Sequence, residues 1–191
     1  MYCIEMLGSF EVYMESERHR RWMKASNALG AIELFTVPIV RGLGKLDAKL
    51  IAEEKRFSEL PSELQETSHE QEALNECYVL SFLWVLGAYE MIRTLDQRCQ
   101  DYPWLVDEPL VASRIKSIKR SFERLRVPLA KMEQARRYKD TDYPIAYPTS
   151  CTELGTSWHV SDTLVISRRE LSDKFLDLIE DMASSAERHA G

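Results

Sequence analysis

The chain has 191 residues and a mass of 22.2 kDa, with 45% apolar and 29% charged residues, which excludes disordered, collagen-like and low-complexity classes. A net charge of −6 gives no general attraction to nucleic acid or to an anionic membrane. Seven glycines and seven prolines are few for an all-β chain rich in tight turns.

Residues 1–14 mix apolar and polar positions without a period and read as an arm, with a short strand as the alternative. A helix begins near Glu15, with Trp22, Ala25, Leu29 and Ile32 on one stripe. Pro38 interrupts it, because a proline disfavours helical geometry at the residue before it. A second stripe follows at Ile39, Leu43, Leu46 and Leu50. The stretch 53–76 holds eight Glu against Lys55 and Arg56, with a break at Pro61. The spacing then predicts a central helix over 69–99. Its middle, CYVLSFLWVLGAY, is apolar on every side, which predicts burial all round. Gly87 within it suits close approach of a neighbouring helix. Residues 101–109 read as a loop leading to Pro109 in a helical first turn. The next helix is expected over 109–138, where Ile115, Ile118, Phe122, Leu125, Leu129 and Met132 alternate three and four apart, with Pro128 inside. Residues 139–151 should be extended and irregular, and GTSWHV, Ser161-Asp162 and TLVI read as a β-hairpin near 156–166. Ser167 to Glu170 forms a capping box opening a last helix through Leu171, Phe175, Leu178 and Met182. The sum is one mainly α domain over 1–191: a bundle of about five helices, with 139–167 as a loop-plus-hairpin insertion.

Charge is the clearest asymmetry. Residues 111–139 hold ten Lys or Arg against Glu123 and Glu133, a local charge of +8 that leaves −14 for the rest. At about 100° per residue, Lys116, Arg120, Arg124 and Lys131 share a face opposite the apolar stripe. Together with Arg126 they can track phosphates. The alternative is pairing within the fold, with the Glu-rich segment or with Asp173, Asp177 and Asp181. Glu90 is the one charge near the end of the apolar core of the central helix and needs a partner, for which Arg126 is the expected one. A carboxylate held by an arginine can also serve catalysis, so Glu90, Arg126, Lys131 and His159 are the catalytic candidates, with Asp142 a possible neighbour. Tyr138, Asp140, Asp142, Tyr143 and Tyr147 form a proline-flanked loop of aromatics and carboxylates suited to a partner or ligand, or to packing on the bundle.

Several chemistries are not offered. His19, His69, His159 and His189 form no HxH, HxxxH or HExxH, and the single ExxH, Glu66 to His69, is half of what a di-iron bundle needs, so neither metal nor cofactor is expected. GLGK at 42–45 lacks the distal glycine and the Ser/Thr of a phosphate loop, and no GxSxG is present. The four cysteines form no CxxC, and Cys77, in an apolar stretch, reads as a buried free thiol. The first ten residues lack the basic cluster of a signal peptide, and the longest uncharged run falls short of a bilayer span, so a cytoplasmic location is expected, with no membrane role.

FLWVLGAYEMIRTL followed by FERLRVPLAKME resembles the HEPN superfamily of paired-helix bundles, over roughly 70–135. Many members dimerise and many are ribonucleases with an Arg, four residues, then His. Here Arg126 is followed by Lys131 in the place of the His, and Val127-Pro128 stand where the family is usually polar. A lysine with a pKa near ~10 steadies a phosphate but is a poor base at neutral pH. The resemblance therefore implies the fold and contact with RNA or a nucleotide, without cleavage. The leading expectation is a non-catalytic homodimer, pairing through the exposed part of an amphipathic helix, that binds RNA, a nucleotide or a protein through its basic helix. The alternatives are a protein-interaction subunit with no nucleic-acid role, and an enzyme with a pocket around Glu90, Arg126 and His159.

Overall fold

A computed structural model describes residues 16–31, 33–101, 109–152 and 154–189. The expected arm over 1–14, Ile32 of the first stripe and loop residues 102–108 lie outside the described residues. The architecture is a mainly α bundle carrying a small antiparallel sheet. Helix α1 is Glu17–Ser26, capped by the Ser16 hydroxyl, which accepts the His19 amide at 3.1 Å. A 3-10 turn, Asn27–Ala31, leads to α2, Thr36–Glu59, and Pro38 sits in the first turn of α2, where its missing N–H costs nothing. The inner face of α2 is rotated from the expected stripe: Val40, Gly44, Asp47, Leu50 and Glu54 are buried while Ile39 is exposed. After the single turn α3, Ser62–Gln65, comes the 34-residue helix α4, Ser68–Asp101.

Helix α5 is Pro109–Lys131, shorter than the expected 109–138. It stops because Met132 takes a left-handed φ of 55°, which ends the helix and turns the chain back. A 3-10 turn, Arg136–Tyr138, follows. The segment expected to be irregular contains a strand, β1 (Tyr147–Thr152), so the hairpin of β2 (Gly155–Ser161) and β3 (Leu164–Ser167) becomes a three-stranded sheet in the order β1-β2-β3. Tyr147 faces His159, and His159 faces Val165. The last helix, α6 (Arg168–His189), opens on the expected capping box: Ser167 Oγ accepts the Glu170 amide at 3.0 Å, and Glu170 Oε2 accepts the Ser167 amide at 3.2 Å.

Helix α4 packs between α2 and α5, while α6 lies against α1 and α5. Trp22, Phe175, Phe122 and Trp84 form a chain of ring contacts with centroids 5.5, 6.5 and 6.1 Å apart, running from α1 through α6 and α5 to α4. Gly44 sets the approach of α1 to α2, since a Cβ there would stand 2.4 Å from Trp22 Cβ. At Gly87 a Cβ would meet Leu43 Cδ2 at 3.2 Å, the close helix approach expected of that glycine. Cys77 is buried, as its apolar surroundings in the sequence predict.

The whole-sided burial expected of α4 does not hold. Trp84, Val85, Ala88 and Ile92 are fully buried, but Val79 is 58% and Leu83 51% exposed. The bundle covers α4 on the α2 and α5 sides, and the face bearing Val79 and Leu83 stays exposed.

Candidate functional site

The cation stripe of α5 is largely engaged within the fold. Arg124 makes a bidentate pair with Asp142, both N–H to oxygen distances being 2.7 Å, and its guanidinium stacks 4.0 Å from the Tyr138 ring. The hydrogen bond to Asp142 raises the Arg124 pKa above its ordinary value, so it stays charged and clamped. Lys119 reaches Asp96 at 2.8 Å, Arg114 pairs with Asp181, and Lys131 lies 3.5 Å from Glu133 in solvent. Of the acids expected to neutralise the stripe, Asp181 does so. Asp173 and Asp177 instead hold Arg18 and Arg21 of α1, and Glu180 also pairs with Arg21. Within the Glu-rich segment, Arg56 reaches Glu53 at 3.1 Å and Glu70 at 2.7 Å. Lys116 and Arg120, one turn apart and exposed, have no carboxylate in ion-pair range among the described residues.

Glu90 and Arg126 do come together, at 3.9 Å across the α4–α5 seam, and Glu90 also accepts from Arg93 at 2.7 Å. Arg126 stands 5.1 Å over the Tyr89 ring, whose hydroxyl donates to Glu123 at 3.3 Å. Burial, with Glu123 beside it, pushes the Tyr89 phenol up, so it remains protonated. The seam is thus a run of satisfied pairs at the surface. His159 is exposed on β2 between Tyr147 and Val165, and among the described residues no contact joins it or Asp142 to Glu90 or Arg126.

The tyrosine loop folds back on the bundle. Asp142 is buried and takes Thr141 Oγ1 at 2.9 Å besides Arg124. The Tyr143 amide donates to the Val160 carbonyl at 2.7 Å, and its hydroxyl donates to Asp162. Tyr147 lies edge-on to Tyr143 as the first residue of β1, and Asp140 stays exposed. Packing on the bundle is the role these contacts fill for Tyr138, Asp142 and Tyr143.

A charged network inside the bundle was not anticipated from the sequence. Arg168, with no exposed surface, donates to Asp47 and, at 2.9 Å, to Glu54. Asp47 also accepts from Arg18 at 2.7 Å and from Trp22 Nε1 at 2.9 Å. Glu54 accepts the Thr156 amide and hydroxyl, both at 2.8 Å, directly beneath Gly155, whose φ of +74° and missing side chain admit the carboxylate. Burial would raise the Asp47 carboxyl, but the guanidiniums of Arg168 and Arg18 overcome it and hold Asp47 below the ordinary range. This network joins α1, α2, α6 and β2. The available signal was Asp47 and Glu54, seven apart on α2 and sharing a face with Val40 and Leu50.

A cleft of about 870 Å³ opens between α4 and the sheet. Asn75, Tyr78, Val79 and Phe82 of α4 form one wall, and Pro148, Thr149 and Trp158 form the other. The Tyr78 hydroxyl donates to the Thr149 carbonyl and pins β1 to the helix. The cleft walls are mainly apolar, and Leu83, next to Phe82 in the chain, is exposed. None of the residues singled out in the sequence lines it. Among the described residues no helix is long and apolar enough to cross a membrane.

Compared with known proteins, the chain matches no family model, no curated protein and no solved structure.

Proposed function

We propose that this protein is a non-catalytic interaction subunit whose binding surface is the exposed face of α4 with the adjoining cleft. The observation that carries this reading is Val79 and Leu83, large apolar side chains exposed at 58% and 51% near the middle of α4, with Val79 lining a concave apolar wall. A contiguous exposed apolar patch rimmed by polar residues marks an interaction site in a soluble protein. Engagement of Arg114, Lys119, Arg124 and Arg126 by carboxylates of the same fold favours this over binding through the basic helix. Among the described residues no contact joins Glu90 to Asp142 or His159, which gives the enzyme reading no support.

A second reading, RNA or nucleotide contact of the kind the HEPN resemblance implies, is favoured by Lys116 and Arg120 alone. Two variants separate the readings in affinity isolation from the source cells. Leu83→Glu should lose the proteins that accompany the wild type, and Lys116→Glu with Arg120→Glu should keep them. If Leu83→Glu keeps every partner and the double variant sheds bound RNA, the second reading replaces the first.

A further inference from the structure

We infer that the partner of this face is a second copy of the same chain, its α4 packed antiparallel on α4 about a two-fold axis between Phe82 and Leu83. The inference rests on the α4 face being the binding surface, and it adds the occupant and the register. At about 100° per residue, Glu72, Asn75, Val79, Phe82, Leu83, Leu86, Glu90 and Arg93 fall on one face roughly 100° wide. That face is apolar at its centre, acidic toward its N-terminal end at Glu72, and carries Arg93 toward its C-terminal end. An isologous interface brings each residue opposite its mirror about the axis, so the surface must complement itself.

With the axis between Phe82 and Leu83 it does. Phe82 meets Leu83 of the other copy, and Val79 meets Leu86. Asn75 meets Glu90, an amide donor on a carboxylate, and Glu72 meets Arg93, an ion pair occurring twice. These pairs span about 31 Å of helix. Glu72 and Arg93 are both exposed, and Arg93 donates only to Glu90 of its own helix, from Nε, which leaves its terminal nitrogens for a second carboxylate. The second copy's Leu86 then lies over the cleft beside Val79, covering the apolar wall the monomer leaves open. A parallel arrangement would set Glu72 against Glu72 and Arg93 against Arg93, so the charges select the antiparallel one.

Sedimentation equilibrium of the full chain, alone and as charge-reversal variants, tests this. The wild type should sediment at twice the 22.2 kDa chain mass at tens of micromolar. Glu72→Arg and Arg93→Glu should each weaken self-association about tenfold, because each creates two like-charge pairs. The two single variants mixed in equal amounts should recover wild-type association, and so should Glu72→Arg with Arg93→Glu in one chain. Both residues are at the surface, so the variants keep the fold, which circular dichroism verifies. A chain monomeric up to hundreds of micromolar, or a dimer that neither reversal weakens, overturns the inference. In either case, partners lost from Leu83→Glu would still uphold the α4 face as a binding surface, whereas a chain that neither dimerises nor loses a partner to that variant fails both.

Discussion

At the scale of single residues, the buried charges decide most. Arg168 is the cation that compensates buried Glu54, and it shares Asp47 with Arg18. Removing one partner of a buried ion pair costs about 3–5 kcal/mol. Arg168→Met should therefore lose that much in urea-induced unfolding, far more than the ordinary surface Arg→Met. Asp47 gives the pH dependence. Its carboxyl is held below the ordinary value in the folded state, so its contribution is complete above the unfolded pKa near 3.8 and is lost as pH falls below that. Stability should decline below about pH 4, and Asp47→Asn, though less stable at pH 7, should show a flatter decline. Asp142 is the second lever: a doubly bonded charged pair is worth about 1.5–3 kcal/mol, so Asp142→Asn should destabilise by that order. Amide exchange should then quicken over 136–147.

At the scale of elements, two glycines of one helix predict opposite signs. Gly44→Ala must displace Trp22, whose Cβ and Cγ stand 2.4 Å from the new methyl, and overpacking of this kind costs about 1–3 kcal/mol. Gly42→Ala meets nothing within 4 Å and should stabilise α2 by about 0.5–1 kcal/mol. Thermal unfolding of the pair checks both. The helices were legible because their apolar spacing repeats three and four apart, and the capping box fixed the start of α6. Strand β1 was not, since Pro148 and a polar sequence carry no strand signal and its conformation comes from pairing with β2. Nor did apolar composition reveal which side of α4 is covered. The run around Val79 and Leu83 reads as core, yet both side chains are exposed in the fold.

At the scale of the whole molecule, the strong charge asymmetry of the sequence collapses on folding. Glu90–Arg126 was legible because both lie on adjacent helix faces, and the structure makes that pair at 3.9 Å. Arg124–Asp142 was not, because it depends on the chain reversing at Met132. What folding leaves is a mostly neutralised basic helix and an apolar face with charged ends, a surface suited to a protein. Site-specific photo-crosslinking in the source cells tests that central claim most directly, with a benzophenone side chain at position 79 in one variant and at position 116 in another. The account predicts protein adducts from position 79 and no RNA adduct from position 116. RNA adducts from position 116 with none of protein from position 79 would contradict it.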